Sequence, residues 1–226
     1  KMAKDNGYKI LTTAGAKSSP QINIVATIGK ELGLEVVGHT SDSKLQPDMI
    51  SAIEKGAKVE QHSYGYTTVL MKRTKDFAEQ NNAFIIPYGM ESEASINSAK
   101  KQLMGIDKEV FKEIKRIVIP VGSGINAIGV VLGLDELGLD IPVLGVQVGA
   151  SPNKLFERYL NVNNRKRITL IKAKQKYNSR AEYTIVNGVE VDSYYEGKCI
   201  PFLEKGDLFW IVGKKEHYIQ GEELKI

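Results

Sequence analysis

Three stretches of this 226-residue chain combine residue types that could do chemistry. One is Gly122-Ser123-Gly124, followed by Ile125 and Asn126. It comes after the apolar run Ile117-Val118-Ile119-Pro120 and opens a second apolar segment that reaches Leu137. A strand, a glycine-rich turn and a helix in that order can cradle an anion. Glycine lets the backbone approach closely, and the amides at the helix start carry partial positive charge. A tight crossover turn with no ligand fits the same pattern. No lysine follows in G-x-x-x-x-G-K-[ST] register, which argues against a P-loop. A dinucleotide fingerprint is a weak match, because Gly129 is the next glycine and no acidic residue ends a following strand to hold a ribose.

The second stretch is Ala14-Gly15-Ala16-Lys17-Ser18-Ser19-Pro20, between a short apolar strand and a helix. Adjacent hydroxyls at a helix start are N-caps in the first place. The turn also lies at the carboxyl edge of its strand, where open α/β sheets bind ligands. The third stretch is Asp192-Ser193-Tyr194-Tyr195-Glu196-Gly197-Lys198. A phenol beside a carboxylate is a candidate acid/base pair. An exposed turn with Glu196 in solvent is the plainer reading.

The elements that must position these residues alternate. Strands are expected at Tyr8–Thr12, Leu34–Gly38, Ala57–Gln61 and Phe84–Pro87. Between them, helices are expected at Gln21–Leu32, Pro47–Lys55 and Thr67–Gln80, with Gly33 and Gly56 as stops. A helix over Ser95–Glu113, breakable at Gly105, precedes the strand Arg116–Pro120, and Ile141–Val148 is the next strand. Strand and helix at this pitch mean crossover units and parallel sheets. Later the character changes. Ile168–Tyr177 alternates, with Ile171, Ala173 and Tyr177 on one face and Lys172, Lys174 and Lys176 on the other. Asn187-Gly188 joins Tyr183–Val186 to Val189–Val191 as a hairpin, and Asp207–Val212 reads as a last strand.

Composition narrows the function classes. There are 31 basic and 27 acidic residues, a net charge of +4. Seven basic residues and no acid lie between Arg165 and Arg180; without those seven charges the balance turns from +4 to −3. Basicity therefore belongs to one segment, which suits either a nucleic-acid contact or an edge strand guarded by lysines. No apolar run approaches a membrane span, and no signal-peptide pattern opens the chain, so a cytoplasmic protein is expected. The single cysteine, Cys199, excludes a disulfide framework. His39, His62 and His217 stand far apart without ligand spacing, and no metal site is expected.

Taken in order, the three stretches resemble the pyridoxal-phosphate enzymes of the tryptophan-synthase β fold (fold type II). The nearest branch is that of 1-aminocyclopropane-1-carboxylate deaminase and D-cysteine desulfhydrase. Thr12–Gly33 is similar to the branch's strand, Gly-Gly-x-Gln-Ser-Asn loop and helix. "FIIPYGM" at 84–90 is similar to its Ile-Pro-x-Gly segment. Ile117–Ala150 is similar to its phosphate-binding strand, loop and helix with the following "LGVQVGAS" strand, and Asp192–Lys198 to its Asp-x-x-Tyr-Glu-Gly-Lys segment.

The resemblance implies an α/β protein with two open, twisted, mainly parallel sheets flanked by helices, in shortened form. A smaller unit over 1–95 and a larger, phosphate-binding one over 96–226 are expected. It implies pyridoxal phosphate as cofactor, a small amino acid as substrate, lyase or deaminase chemistry, and a homodimer. It places Gly122, Ser123, Gly124, Ile125 and Asn126 at the cofactor phosphate, Glu196 at the pyridine nitrogen, Ser19 near the ring hydroxyl, and Ser18 and Tyr195 at the substrate. A catalytically silent binding module, and an enzyme for a nucleic-acid-linked amino acid, are the alternatives.

Three departures stand out. Ser19 replaces the family's loop asparagine. The span from Gly149 to Asp192 is short and basic. The family's Schiff-base lysine extrapolates to about two helical turns before Lys1. It is therefore expected to be missing from the supplied chain or lost, with Lys1, Lys4 and Lys17 as substitutes that do not match in position.

Overall fold

A computed structural model describes residues 2–63, 67–213 and 221–225. They divide into two compact units, one running to Met90 and one starting at Glu91. Among the described residues no helix is long and apolar enough to cross a membrane.

The first unit contains α1 (Met2–Asp5), β1 (Ile10–Ala14), α2 (Gln21–Leu32), β2 (Glu35–Ser41), α3 (Pro47–Glu54), β3 (Lys58–His62), α4 (Thr67–Asn81) and β4 (Phe84–Ile86). Its four strands form one parallel sheet in the order β3-β2-β1-β4. Helix α2 buries Ile22, Val25 and Ala26 against Leu11, Val36 and Met49. It lies so close to the sheet that a Cβ at Gly38 would come within 2.5 Å of Ile22. The helix ends at Gly33, whose φ of 67° is a left-handed stop.

The second unit begins with α5 (Glu93–Met104) and α6 (Val110–Glu113), the expected helix interrupted after Met104. It continues with β5 (Arg116–Val121), α7 (Ile125–Glu136), β6 (Val143–Gln147), α8 (Asn153–Tyr159), α9 (Val162–Lys166) and β7 (Ile168–Lys172). After these come β8 (Tyr183–Val186), β9 (Val189–Glu190), β10 (Asp207–Phe209) and β11 (Glu222–Leu224). The main sheet is parallel in the order β10-β5-β6-β7, and β11-β8-β9 forms a smaller one. Strand β5 is buried along Ile117–Val121, and α7 is apolar nearly all round, as central elements must be. In the smaller sheet, Asn187 (φ 47°) and Gly188 (φ 79°) make the tight turn of the expected hairpin.

The alternating stretch 168–177 does not form one long strand. β7 stops at Lys172; Ile171 and Ala173 pack with Val118, Val146 and Cys199, but Tyr177 is 59% exposed. The strand ends where its single neighbour does, Lys172 pairing with Gln147, the last residue of β6; farther on, the Lys198 amine donates to the carbonyls of Lys176 and Tyr177, each at 2.8 Å. β7 is the edge of its sheet, with Lys172 exposed beside it. The seven basic residues also do not share one element. Arg165 and Lys166 close α9, and Arg167 turns to Asp140 at 3.4 Å and Asp135 at 3.8 Å.

Candidate active site

The chain leaves β5 at Val121 and enters α7 through Gly124, which sits at φ 95° and caps the helix without any side-chain hydrogen bond. The first amides of α7 have no partner within the helix, as in any helix, and the cap residue, a glycine, has no side chain to offer them. The loop is walled on several sides. A Cβ on Gly122 would lie 2.7 Å from the Tyr195 hydroxyl, and one on Gly124 2.8 Å from Pro152 and 2.9 Å from the Phe156 ring. A Cβ on Gly149, just past β6, would lie 3.4 Å from the Gly122 Cα. Only glycine fits at 122 and 124. The first is closed by contact, the second by contact and by its left-handed backbone.

The Tyr195-Glu196 segment lies in the same unit, at the head of a 3₁₀ stretch covering Glu196–Phe202. Glu196 is 2% exposed, which overturns the reading of an exposed turn. Its Oε1 accepts the Val212 N–H at 3.2 Å. Burial pushes its carboxyl up to about 7; Asp192 adds to the rise, and backbone hydrogen bonds, those from Val212 and Gly213 among them, oppose it. Tyr195 rises well above the usual phenol range, through burial first and then the nearby Glu196, against a hydrogen bond from the Gly122 backbone. At neutral pH the phenol keeps its proton, and its oxygen is docked on the glycine loop.

Asp192 organises the approach to this pair. Its Oδ1 accepts the Tyr194 N–H at 2.9 Å, and its carbonyl accepts the Gly197 N–H at 2.8 Å. Lys198 is fully buried, with its amine lowered by burial, and it ties residues 176–177 to this segment. Sequence reasoning gave Lys198 no separate role. Its signal was position alone, two residues after a carboxylate in the matched segment.

In the first unit, the turn after β1 is organised differently. The Ser19 hydroxyl accepts the Gln21 N–H at 3.2 Å, and the Ser19 N–H donates to the Ala16 carbonyl at 2.8 Å. Ser18 is half-buried and Lys17 is exposed. Gln21, another residue the sequence did not single out, is 5% exposed and saturated. Its amide donates to Thr13 Oγ1 and to the Pro87 carbonyl, and accepts the Gly89 N–H, all at 2.8 Å. It locks the turn to the 84–90 segment. Of the proposed substitute lysines, Lys4 donates to the Leu32 carbonyl at 3.1 Å and Lys1 lies outside the described residues.

The structure also brings together two histidines that are distant in sequence. His39 and His62 meet at 2.9 Å, with Glu60 beside them at 3.4 Å from His39. Strand register is the reason: His39 pairs with Glu60 in the parallel β2–β3 ladder, so His62, two residues on, shares its face. Counting residues between histidines misses this, because ligand spacing along one chain says nothing about neighbouring strands. Burial lowers both histidines; Arg73 and Glu60 then act on His62 in opposite directions.

No protein-family model matches the sequence, and no curated protein matches it. Solved structures do. A structure described as an ACC deaminase homologue superposes with a TM-score of 0.77 at 21% identity, over 92% of this chain and 74% of that one. O-ureido-L-serine synthase gives a TM-score of 0.68 at 12% identity, again over 92% of this chain and 74% of that one. Escherichia coli diaminopropionate ammonia lyase gives 0.59 at 14% identity, over 85% of this chain and 55% of that one. At these identities the likeness establishes architecture, and that architecture is α/β with parallel sheets flanked by helices.

Proposed function

We propose that this chain, which has the tryptophan-synthase-β-like fold of pyridoxal-phosphate enzymes, is a pyridoxal-phosphate-dependent lyase or deaminase acting on a small amino acid. The observation that carries the reading is the pairing, within one unit, of an uncapped glycine turn at the start of α7 with a buried carboxylate next to a phenol that touches that turn. The residues fit the cofactor: a Cβ would fill the cradle at Gly122 and Gly124, and the helix start offers amides and no lysine to a dianion.

When bound, pyridoxal phosphate supplies an electron sink for negative charge at a substrate α-carbon. The backbone of Gly122, Ser123, Gly124, Ile125 and Asn126 would hold its phosphate. Glu196, poised near 7 by burial, would hold or share a proton at the ring nitrogen. Tyr195 keeps its proton at neutral pH and so acts as a donor, and Ser18 is the hydroxyl assigned to the substrate. The resemblance assigns Ser19 to the ring hydroxyl, but its oxygen already accepts the Gln21 N–H, so any such contact would compete with that bond.

Calorimetric titration of the chain with pyridoxamine phosphate tests the site. Saturable one-to-one binding, weakened by inorganic phosphate and at least tenfold by G122A, is the expected result. Release of ammonia and a keto acid from a small amino acid, after addition of pyridoxal phosphate, tests the reaction. Absence of any uptake overturns the reading; uptake without turnover on any small amino acid makes the chain a ligand-binding module.

A further inference from the structure

The first unit carries a second constellation, on the face of its sheet covered by α4, that the proposed function does not use. One ring nitrogen each of His39 and His62 and a Glu60 carboxylate oxygen all lie within 4.8 Å of one another. The two measured separations from His39 Nδ1 are 2.9 Å to His62 Nε2 and 3.4 Å to Glu60 Oε2. Metal–ligand bonds of about 2.0–2.1 Å place adjacent donors about 3.0–3.4 Å apart, so these three atoms already stand near the corners of a coordination shell.

The hydrogen bonds fix which atoms are available. Thr12 Oγ1 donates its hydrogen to the Val37 carbonyl at 3.0 Å, so toward His39 Nε2, at 3.1 Å, it can only accept. His39 therefore carries its proton on Nε2 and turns a bare Nδ1 toward His62 and Glu60. A hydrogen bond at the far nitrogen that sets tautomer and ring direction is what metal-bound histidines have. The ring is held further by the edge of Phe77, 5.2 Å between centroids, and His39 itself is 1% exposed. Glu60 and His62 are more open, which leaves an ion a way in.

We propose that His39 Nδ1, Glu60 and His62 Nε2 form a three-ligand site for a divalent first-row transition ion of the zinc class, with further positions open to water. Two imidazoles and one carboxylate select such an ion over magnesium or calcium, which take oxygen ligands.

Arg73 is the built-in competitor. Its guanidinium lies 2.7 Å from His62 Nδ1 and can only donate, so it holds the His62 proton on Nε2, the atom an ion needs. Binding must shift that proton to Nδ1 and turn the exposed Arg73 side chain away. The ion and Arg73 thus compete for opposite tautomers of one ring, which gives the site a signature that a casual surface ion lacks.

The test uses the 226-residue chain after chelator dialysis, titrated with zinc and with cobalt(II), with magnesium as control. Expected are one bound ion per chain at micromolar affinity or tighter, visible cobalt d–d bands, and no response to magnesium. E60Q and H62A, both on accessible side chains, should each weaken binding at least tenfold while circular dichroism stays native. R73Q should tighten binding at least threefold. The proposal is overturned by the absence of saturable binding in the folded chain, by affinity unchanged in both E60Q and H62A, or by R73Q binding no more tightly than the unaltered chain. None of these readouts depends on pyridoxal phosphate, so they stand apart from the proposed reaction.

Discussion

Two turns of this molecule leave the carboxyl end of a parallel strand and start a helix, one after β1 and one after β5, and they satisfy their backbone in opposite ways. The turn after β1 is hydroxyl-bearing and largely serves itself: Ser19 caps the Gln21 amide, and Gln21 spends its whole side chain stitching the turn to residues 84–90. The turn after β5 has glycine at its cap, a Gly122 amide bonded to the Tyr195 hydroxyl, and walls made by Tyr195, Pro152 and Phe156. A ligand at the first turn competes with bonds already made. A ligand at the second meets the first amides of α7, which the helix itself does not use, beside a Gly122 amide that serves Tyr195. The same strand–turn–helix grammar thus yields one rigid support and one anion-ready cradle, and the difference lies in where the polar atoms sit, on side chains or on backbone.

The sharpest way to break this contrast is G124V. It forces a β-branched residue into a backbone at φ 95° and drives its Cβ toward Pro152 and Phe156. Backbone strain of about 1–2 kcal/mol and overpacking of about 1–3 kcal/mol together predict a loss of about 2–5 kcal/mol in urea unfolding.

The next effect is a pH dependence at Glu196. Its carboxyl is pushed up to about 7 by burial, above the unfolded value, so the folded chain binds this proton more tightly than the unfolded chain does. Stability is therefore fullest below pH 4.5 from this group, falls as pH rises toward 7, and levels off above it. E196Q should remove that decline, a relative gain on the order of 3 kcal/mol at pH 8 against pH 4. Parallel melts that show the same slope in both proteins would contradict it.

Smaller effects belong to the turn after β1. S19A removes the side-chain hydrogen bond to the first amide of α2 and should cost about 1 kcal/mol in the same urea assay. G15A should cost about 1 kcal/mol, the low end of overpacking, because its Cβ meets the buried Ile22 Cγ1 at 3.0 Å with no left-handed backbone to add strain. A loss at Gly15 as large as at Gly124 would erase the distinction between the two turns.

Much of the fold was legible because hydrophobic periodicity and glycine stops are local. The run from Arg116 to Leu137 announced strand, turn and helix, and Asn187-Gly188 announced its hairpin, since each depends on backbone preferences a few residues wide. In segment 168–177 the alternation is real, but the edge strand β7 has one neighbour, β6, and pairing stops at its last residue, Gln147, opposite Lys172, a limit set by a strand distant in sequence.

The amino-acid order by itself determined the α/β class, the glycine turn and the Tyr-Glu adjacency, because those are set by dihedral freedom and by neighbours in the chain. Only the tertiary structure decided that Glu196 is buried and raised, that Tyr195 rests on Gly122, and that His39 meets His62 across two strands. Burial and strand register are properties of what packs against what, and a residue's charge state and partners follow from them, not from its place in the sequence.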